Sequence, residues 1–183
     1  MISEAFKERM RPLLGSAFED FIGTYDRPAQ GGLRVNTLKI SKEEFLSGSS
    51  FSLLPVAWAE EGFYYDAADR PGKHVCHEMG LYYMQEPSAM SVAAYAQVQP
   101  GEFVLDLCAA PGGKSTQLAA ALQGSGLLVS NEIHPARCRI LSQNIERMGV
   151  RNAVVTNETP DALARLYFQA FDCVVVDAPC SGE

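Results

Sequence analysis

Residues 103–116, FVLDLCAAPGGKST, place an acid (Asp106), a thiol (Cys108) and a cation (Lys114) around the small-residue run Ala109, Ala110, Pro111, Gly112 and Gly113. Apolar neighbours on both sides of Asp106 predict a buried strand, the glycines a tight turn, and the helix formers after them a helix start. Such a turn exposes backbone N–H groups to a ligand, because glycine has no Cβ and the first helical turn leaves donors unpaired. Two nucleotide motifs fail here in their strict forms. A phosphate-binding P-loop needs glycine where Cys108 stands, and the dinucleotide fingerprint needs glycines that are not adjacent. What remains is a cofactor turn without a diphosphate grip. An adenosine-bearing cofactor that lacks phosphates, S-adenosylmethionine, suits it.

Three further residues with useful chemistry follow at later strand ends. Glu132 lies about twenty residues past the glycine turn, where an acid accepts hydrogen bonds from ribose hydroxyls; its structural alternative is an acid favoured by the dipole at a helix start. Asp177 closes an apolar run, and Cys180 follows it in DAPC. A thiol beside a polarising group is the obvious nucleophile from these residues alone.

The elements that must position these groups alternate. Strands are predicted at 103–107, 126–131, 153–156 and 172–177, with helices at about 114–122, 134–148 and 160–169 between them. Apolar strands alternating with amphipathic helices imply a parallel, doubly wound α/β sheet with right-handed crossovers. Ligands of such sheets sit beyond the carboxyl ends of the strands, at the point where strand order reverses.

Residues 1–86 form a small α+β domain in this reading, and 87–183 a partial doubly wound domain. Residues 3–22 are predicted helical, with Ser3 as N-cap and a break or kink at Pro12. A strand over 33–38 puts Arg34 and Asn36 on one face, a polar stripe that the pattern alone reads as exposed. A short helix over 41–47 carries Ser41 and Glu44 at capping-box spacing. Extended segments cover 51–65, where Trp58, Phe63, Tyr64 and Tyr65 read as core aromatics, and helices over 77–83 and 88–97 meet at Pro87.

At 183 residues, 47% of them apolar, the chain has enough hydrophobic material for a core. No apolar run approaches the length of a membrane span and the N-terminus carries no signal-peptide core, so cytoplasmic residence is the default. Five cysteines without a C-x-x-C pair argue against a disulfide framework. His74, Cys76 and His77 in KHVCHE, with no second cluster, are a poor match to structural zinc spacing, and no metal is expected. A net charge of −7 opposes bulk association with nucleic acid, since that is driven by cation contacts to phosphate. Local basic groups at Lys7, Arg9 and Arg11, at Arg70, Lys73 and His74, and at Arg137 and Arg139 read as solvated faces.

DLCAAPGGKS and VVVDAPCSGE, with RVNTLK and YYMQEPSAM upstream, resemble the Nol/Nop/Sun family of RNA cytosine-5 methyltransferases, in its bacterial ribosomal-RNA, RsmF-like branch. The resemblance implies a Rossmann-like, S-adenosylmethionine-dependent methyltransferase fold behind an RNA-positioning N-terminal domain, and ribosomal RNA, 16S above all, as substrate. It implies that Cys108 to Lys114 hold the cofactor, that Asn157 stands at the adenine-side position where the family usually has aspartate, and that Asp177 holds the cytosine near the cofactor's methionine side. It also changes the reading of Cys180, which would assist product release, while the attacking cysteine comes from a later Thr-Cys motif that these residues do not contain. The expectation is therefore an N-terminal portion of an enzyme, with four of seven strands and an unpaired apolar edge, inactive alone. The rival reading is a non-catalytic RNA-binding or ribosome-assembly module that keeps the methyltransferase form.

Overall fold

The computed structural model describes residues 2–178. Two compact units divide the chain, Met1–Gln30 and Gly31–Glu183.

In the first unit, α1 (Glu4–Leu14) starts at Ser3, whose hydroxyl accepts from the Phe6 N–H at 3.3 Å, as its N-cap position predicts. Pro12 does not break the helix. It falls in the last turn, where the missing donor concerns one bond only, and the chain leaves the helix at Gly15 with φ +53°. α2 (Phe18–Thr24) follows, and Phe6, Phe21 and Tyr25 form an aromatic cluster with centroids 5.5–6.3 Å apart.

The second unit holds two four-stranded sheets. β1 (Gly31–Val35), β2 (Leu53–Val56), β3 (Ala59–Tyr65) and β4 (Tyr82–Met84) form an antiparallel sheet in the order β2-β3-β1-β4. Between its strands lie α3 (Lys42–Gly48), closed by the Ser41–Glu44 capping box, and α4 (Val75–Glu78). The expected helix over 77–83 is corrected: α4 stops before Gly80, which turns the chain at φ +69°, and Tyr82–Met84 pair with Leu33–Val35. Two adjacent tyrosines favour a pleated, paired position over a helix. β1 is also shorter than expected, because the Asn36 side-chain oxygen accepts from the Leu38 N–H and bends the chain.

α5 (Pro87–Ala96) leads into the second sheet, with Pro87 at its first turn. Here β5 (Phe103–Asp106), β6 (Leu127–Asn131), β7 (Ala153–Thr156) and β8 (Cys173–Val175) run parallel in the order β7-β6-β5-β8. α6 (Gly113–Leu122), α7 (Pro135–Met148) and α8 (Pro160–Leu166) connect them. Alternation along the strands decides the layers. Val104 and Leu128 pack on Leu118 and Leu122 of α6, while Leu105 and Val129 face Leu163 of α8 on the opposite side. Each such leucine or valine contributes about 1.5–3 kcal/mol by leaving water. The strand order reverses between β5 and β8, which makes the crevice at their carboxyl ends the place for a ligand.

Arg34 and Asn36 are not exposed; each keeps only 2% of its surface. Both reach the parallel-sheet layer, Arg34 at the start of α6 and Asn36 at the end of α7, where its amide donates to the Met148 carbonyl at 2.8 Å and to Gly80 at 2.8 Å. Lys39 Nζ donates beside it to the Arg147 and Met79 carbonyls. The polar stripe of RVNTLK thus ties the two sheets together, supplying donors to carbonyls that a helix end leaves unpaired. Among the described residues no helix is long and apolar enough to cross a membrane.

Candidate active site

At the reversal point of the parallel sheet lies a cavity of about 560 Å³, a size typical of small-molecule sites. Leu107, Cys108 and Ala110 from the loop after β5, Asn131 and Glu132 from the end of β6, Arg137 of α7, and Val176, Asp177 and Ala178 after β8 form much of its wall. A larger cleft of about 860 Å³ runs between the antiparallel sheet and α5 and α6. No residue at the carboxyl ends of the parallel strands lines it, and it holds none of the sequence-predicted site residues.

Glu132 is almost wholly buried, and its carboxylate is held from two sides. The His134 N–H donates to Oε1 at 2.9 Å, and Arg137 lies 3.2 Å from Oε2. Arg137 also donates to the Ala110 carbonyl at 2.8 Å, so one guanidinium fixes the acid and the loop together. A carboxylate offers about four lone-pair directions. Two contacts leave capacity for hydroxyl donors from the cavity.

Asp106 ends β5 beneath the loop. Ser115 donates to its Oδ2 at 2.7 Å, whereas Oδ1 is buried without a partner among the described residues. Burial raises its pKa, against the lowering effect of Ser115, of Lys114 and of the Cys108 backbone N–H. Burial, reinforced by Asp106, Glu132 and Asp177, likewise pushes the Cys108 thiol up. A thiol so placed is protonated and lines the wall instead of attacking.

The two glycines of the turn answer to packing. Gly112 has φ +114°, and a Cβ there would stand 3.3 Å from Leu141; one on Gly113 would stand 3.3 Å from the Tyr83 ring. Neither glycine, nor Ala109, Pro111 or Lys114, belongs to the cavity wall. Lys114 instead reaches across the reversal point to Asp177, Nζ to Oδ2 at 2.5 Å. Asn157 also stands off the wall, its amide donating to the Glu132 carbonyl at 2.6 Å. Pro179 and Cys180 lie outside the described residues.

Two residues escaped the sequence reading. Asn131, 1% exposed, accepts from Thr156 and the Glu158 N–H and donates to the Leu107 and Glu158 carbonyls, bracing β6 against both neighbouring loops. A polar residue closing an apolar strand was its only signal. Arg137 read as a solvated cation; its place five residues after Glu132, in the first turn of the following helix, was the clue.

No group of three or more metal-ligating side chains occurs among the described residues. His77 Nδ1 lies 3.5 Å from Glu78, and His74 Nδ1 accepts from the Cys76 N–H.

Residues 2–87 match the family model for the N-terminal domain of 16S rRNA methyltransferase RsmF, and residues 93–183 match that for 16S rRNA methyltransferase RsmB/F. Ribosomal RNA small subunit methyltransferase F of Vibrio vulnificus is 40% identical over 192 residues, covering 100% of this chain and 41% of that protein. The chain therefore spans less than half the length of this relative. A methyltransferase homolog protein from Pyrococcus horikoshii superposes with a TM-score of 0.84 at 31% identity, over 99% of this chain and 60% of that one. NSun6 from Pyrococcus horikoshii, solved with SFG, superposes with a TM-score of 0.82 over 97% of this chain and 71% of its own, and at 19% identity shows the fold alone. The architecture is that of the Rossmann-like, S-adenosylmethionine-dependent methyltransferases.

Proposed function

This chain belongs to the 16S rRNA methyltransferase RsmB/F family, and we propose that it is the cofactor-binding part of an enzyme that methylates carbon 5 of a cytosine in 16S ribosomal RNA, in the cytoplasm. The cavity bounded by Cys108, Ala110, Glu132 and Asp177 carries the proposal, because it lies where a doubly wound sheet binds its ligand and sets a buried acid opposite the loop.

The residues fit S-adenosylmethionine, which supplies an electrophilic methyl group when bound. Glu132, held by the His134 N–H and Arg137, accepts from the ribose hydroxyls. Cys108 and Ala110 form the adjoining wall, with the rest of the loop to Lys114 holding them from behind, and Asn157, bonded to the Glu132 carbonyl, serves the adenine end. Asp177 holds the cytosine ring, with Lys114 aiming its carboxylate. Carbon 5 of cytosine is a weak nucleophile, so a thiolate must first add to carbon 6, and a base must later remove the carbon 5 proton as the thiolate leaves. The resemblance gives that second stage to Cys180. The resemblance assigns the first cysteine to a Thr-Cys motif, and the described residues to cofactor binding and to the hold on the cytosine. Residues 1–86 serve as the domain that positions the RNA, and 87–183 as the catalytic domain.

Deleting the gene and mapping 5-methylcytosine in 16S rRNA tests the reading. One modified cytosine should disappear, return with a wild-type copy, and stay absent with Asp177→Ala. An unchanged 5-methylcytosine map after deletion contradicts it.

A further inference from the structure

The first turn of α6 is anchored at three successive residues to three strands. Lys114 pairs with Asp177 after β8, Ser115 donates to Asp106 at the end of β5, and the Thr116 hydroxyl accepts from Arg34 Nη2 of β1 at 2.7 Å. The same Nη2 donates to the Gly113 carbonyl at 3.2 Å, and Nε donates to Gln85 Oε1 at 3.1 Å. The third anchor is unusual in its chemistry. Arg34 is 2% exposed and forms no ion pair among the described residues, and burial lowers its pKa to about 10. A guanidinium here is costly on two counts. It is desolvated with no carboxylate in ion-pair contact, only the longer-range pull of Glu61 opposing the burial, and it stands at the helix end that already carries positive partial charge. An apolar side chain of similar volume would join the sheets at lower cost.

We propose that Arg34 is a positioning residue for the cofactor loop, locking Gly113 and Thr116 so that Lys114 and the backbone before it keep their aim at Asp177 and the cavity. The inference rests on the methyltransferase reading of that cavity. Tyr83 supports the arrangement, with the guanidinium groups of Arg34 at 5.9 Å and Arg147 at 5.7 Å from its ring centre and its ring edge against the space over Gly113. The antiparallel sheet thereby acts on cofactor binding without touching the cofactor.

Titration calorimetry with S-adenosylmethionine on the wild-type chain, Arg34→Met, Arg34→Lys, Thr116→Val and the Arg34→Met/Thr116→Val pair tests this. Arg34→Met should weaken binding about tenfold with unchanged circular dichroism, Arg34→Lys should recover part of it, and the pair should be no weaker than Arg34→Met alone. In the ligand-free chain, amide hydrogen exchange at 114–116 should accelerate in Arg34→Met. A folded Arg34→Met with affinity within about twofold of wild type overturns the inference. Should Arg34→Met fail to fold, Thr116→Val decides alone, and unaltered affinity and exchange there overturn it. Absence of binding by the wild-type chain instead sinks the functional reading, and this inference with it.

Discussion

Lys114 Nζ lies 2.5 Å from Asp177 Oδ2, joining the first turn of α6 to the segment after β8 across the reversal point of the sheet. The two residues are 63 positions apart in the chain, since 177 − 114 = 63. Only the parallel pairing of Val104–Asp106 with Cys173–Val175 brings them together. The contact is a link between the two halves of the proposed site, which gives it a role separable from stability.

Removing that contact should cost little folding energy. Asp177 is 53% exposed, and such pairs contribute below about 1 kcal/mol. Lys114→Met should therefore shift the urea midpoint only slightly, while weakening S-adenosylmethionine binding about tenfold, because Asp177, which the proposal also sets beside the cofactor's methionine side, loses its guide. A large stability loss with unchanged affinity would reverse the assignment.

Asn36→Ala should be far more disruptive than its single amide suggests. It leaves the Gly80 and Met148 carbonyls without their buried donor, at about 1–3 kcal/mol for each unsatisfied group. Guanidinium denaturation should show a loss of that order, with no change in the cofactor-binding mode of the folded fraction. A loss below half a kcal/mol, roughly a surface value, would show that the clamp is slack.

Asp106 sets an acid-range signature. Its folded pKa lies above the unfolded value because burial disfavours the charge. The folded state therefore binds more protons than the unfolded one between the two values, and stability falls as pH rises through that window. Below the unfolded value the penalty vanishes. Asp106→Asn should flatten this slope in urea melts taken across the acid range, with the larger gain above the window. A steeper slope in the variant would contradict the burial account.

Gly112→Ala should destabilise by about 1 kcal/mol or more, since φ +114° suits glycine and the new methyl meets Leu141. Thermal melts measure this directly. Equal melting temperatures would mean that the turn relaxes at no cost.

The parallel half of the fold was legible because each strand is a short apolar run ending in a polar residue. Asp106, Asn131 and Thr156 close the first three strands, and local pattern suffices to find them. The antiparallel half was less legible. Tyr82 and Tyr83 carry a pattern that fits either helix or strand, and their partner strand lies some fifty residues earlier, outside any local window. Arg34 and Asn36 read as exposed or as facing the RNA or the cleft, and not as buried ties, because their acceptors on α6 and α7 become visible only once the sheets are stacked. At the site, position in sequence found Glu132 and Asp177, while Arg137 needed the three-dimensional contact with Ala110 to reveal its role.

Titration of S-adenosylmethionine into the wild-type chain and Glu132→Gln tests the central claim most directly, because Glu132 is the buried acid facing the cavity from the end of β6. The account predicts one site per chain, and binding about tenfold weaker in the folded variant, through loss of charged hydrogen bonds to the ribose. Equal affinity in the two proteins, or no binding by the wild type, would contradict it.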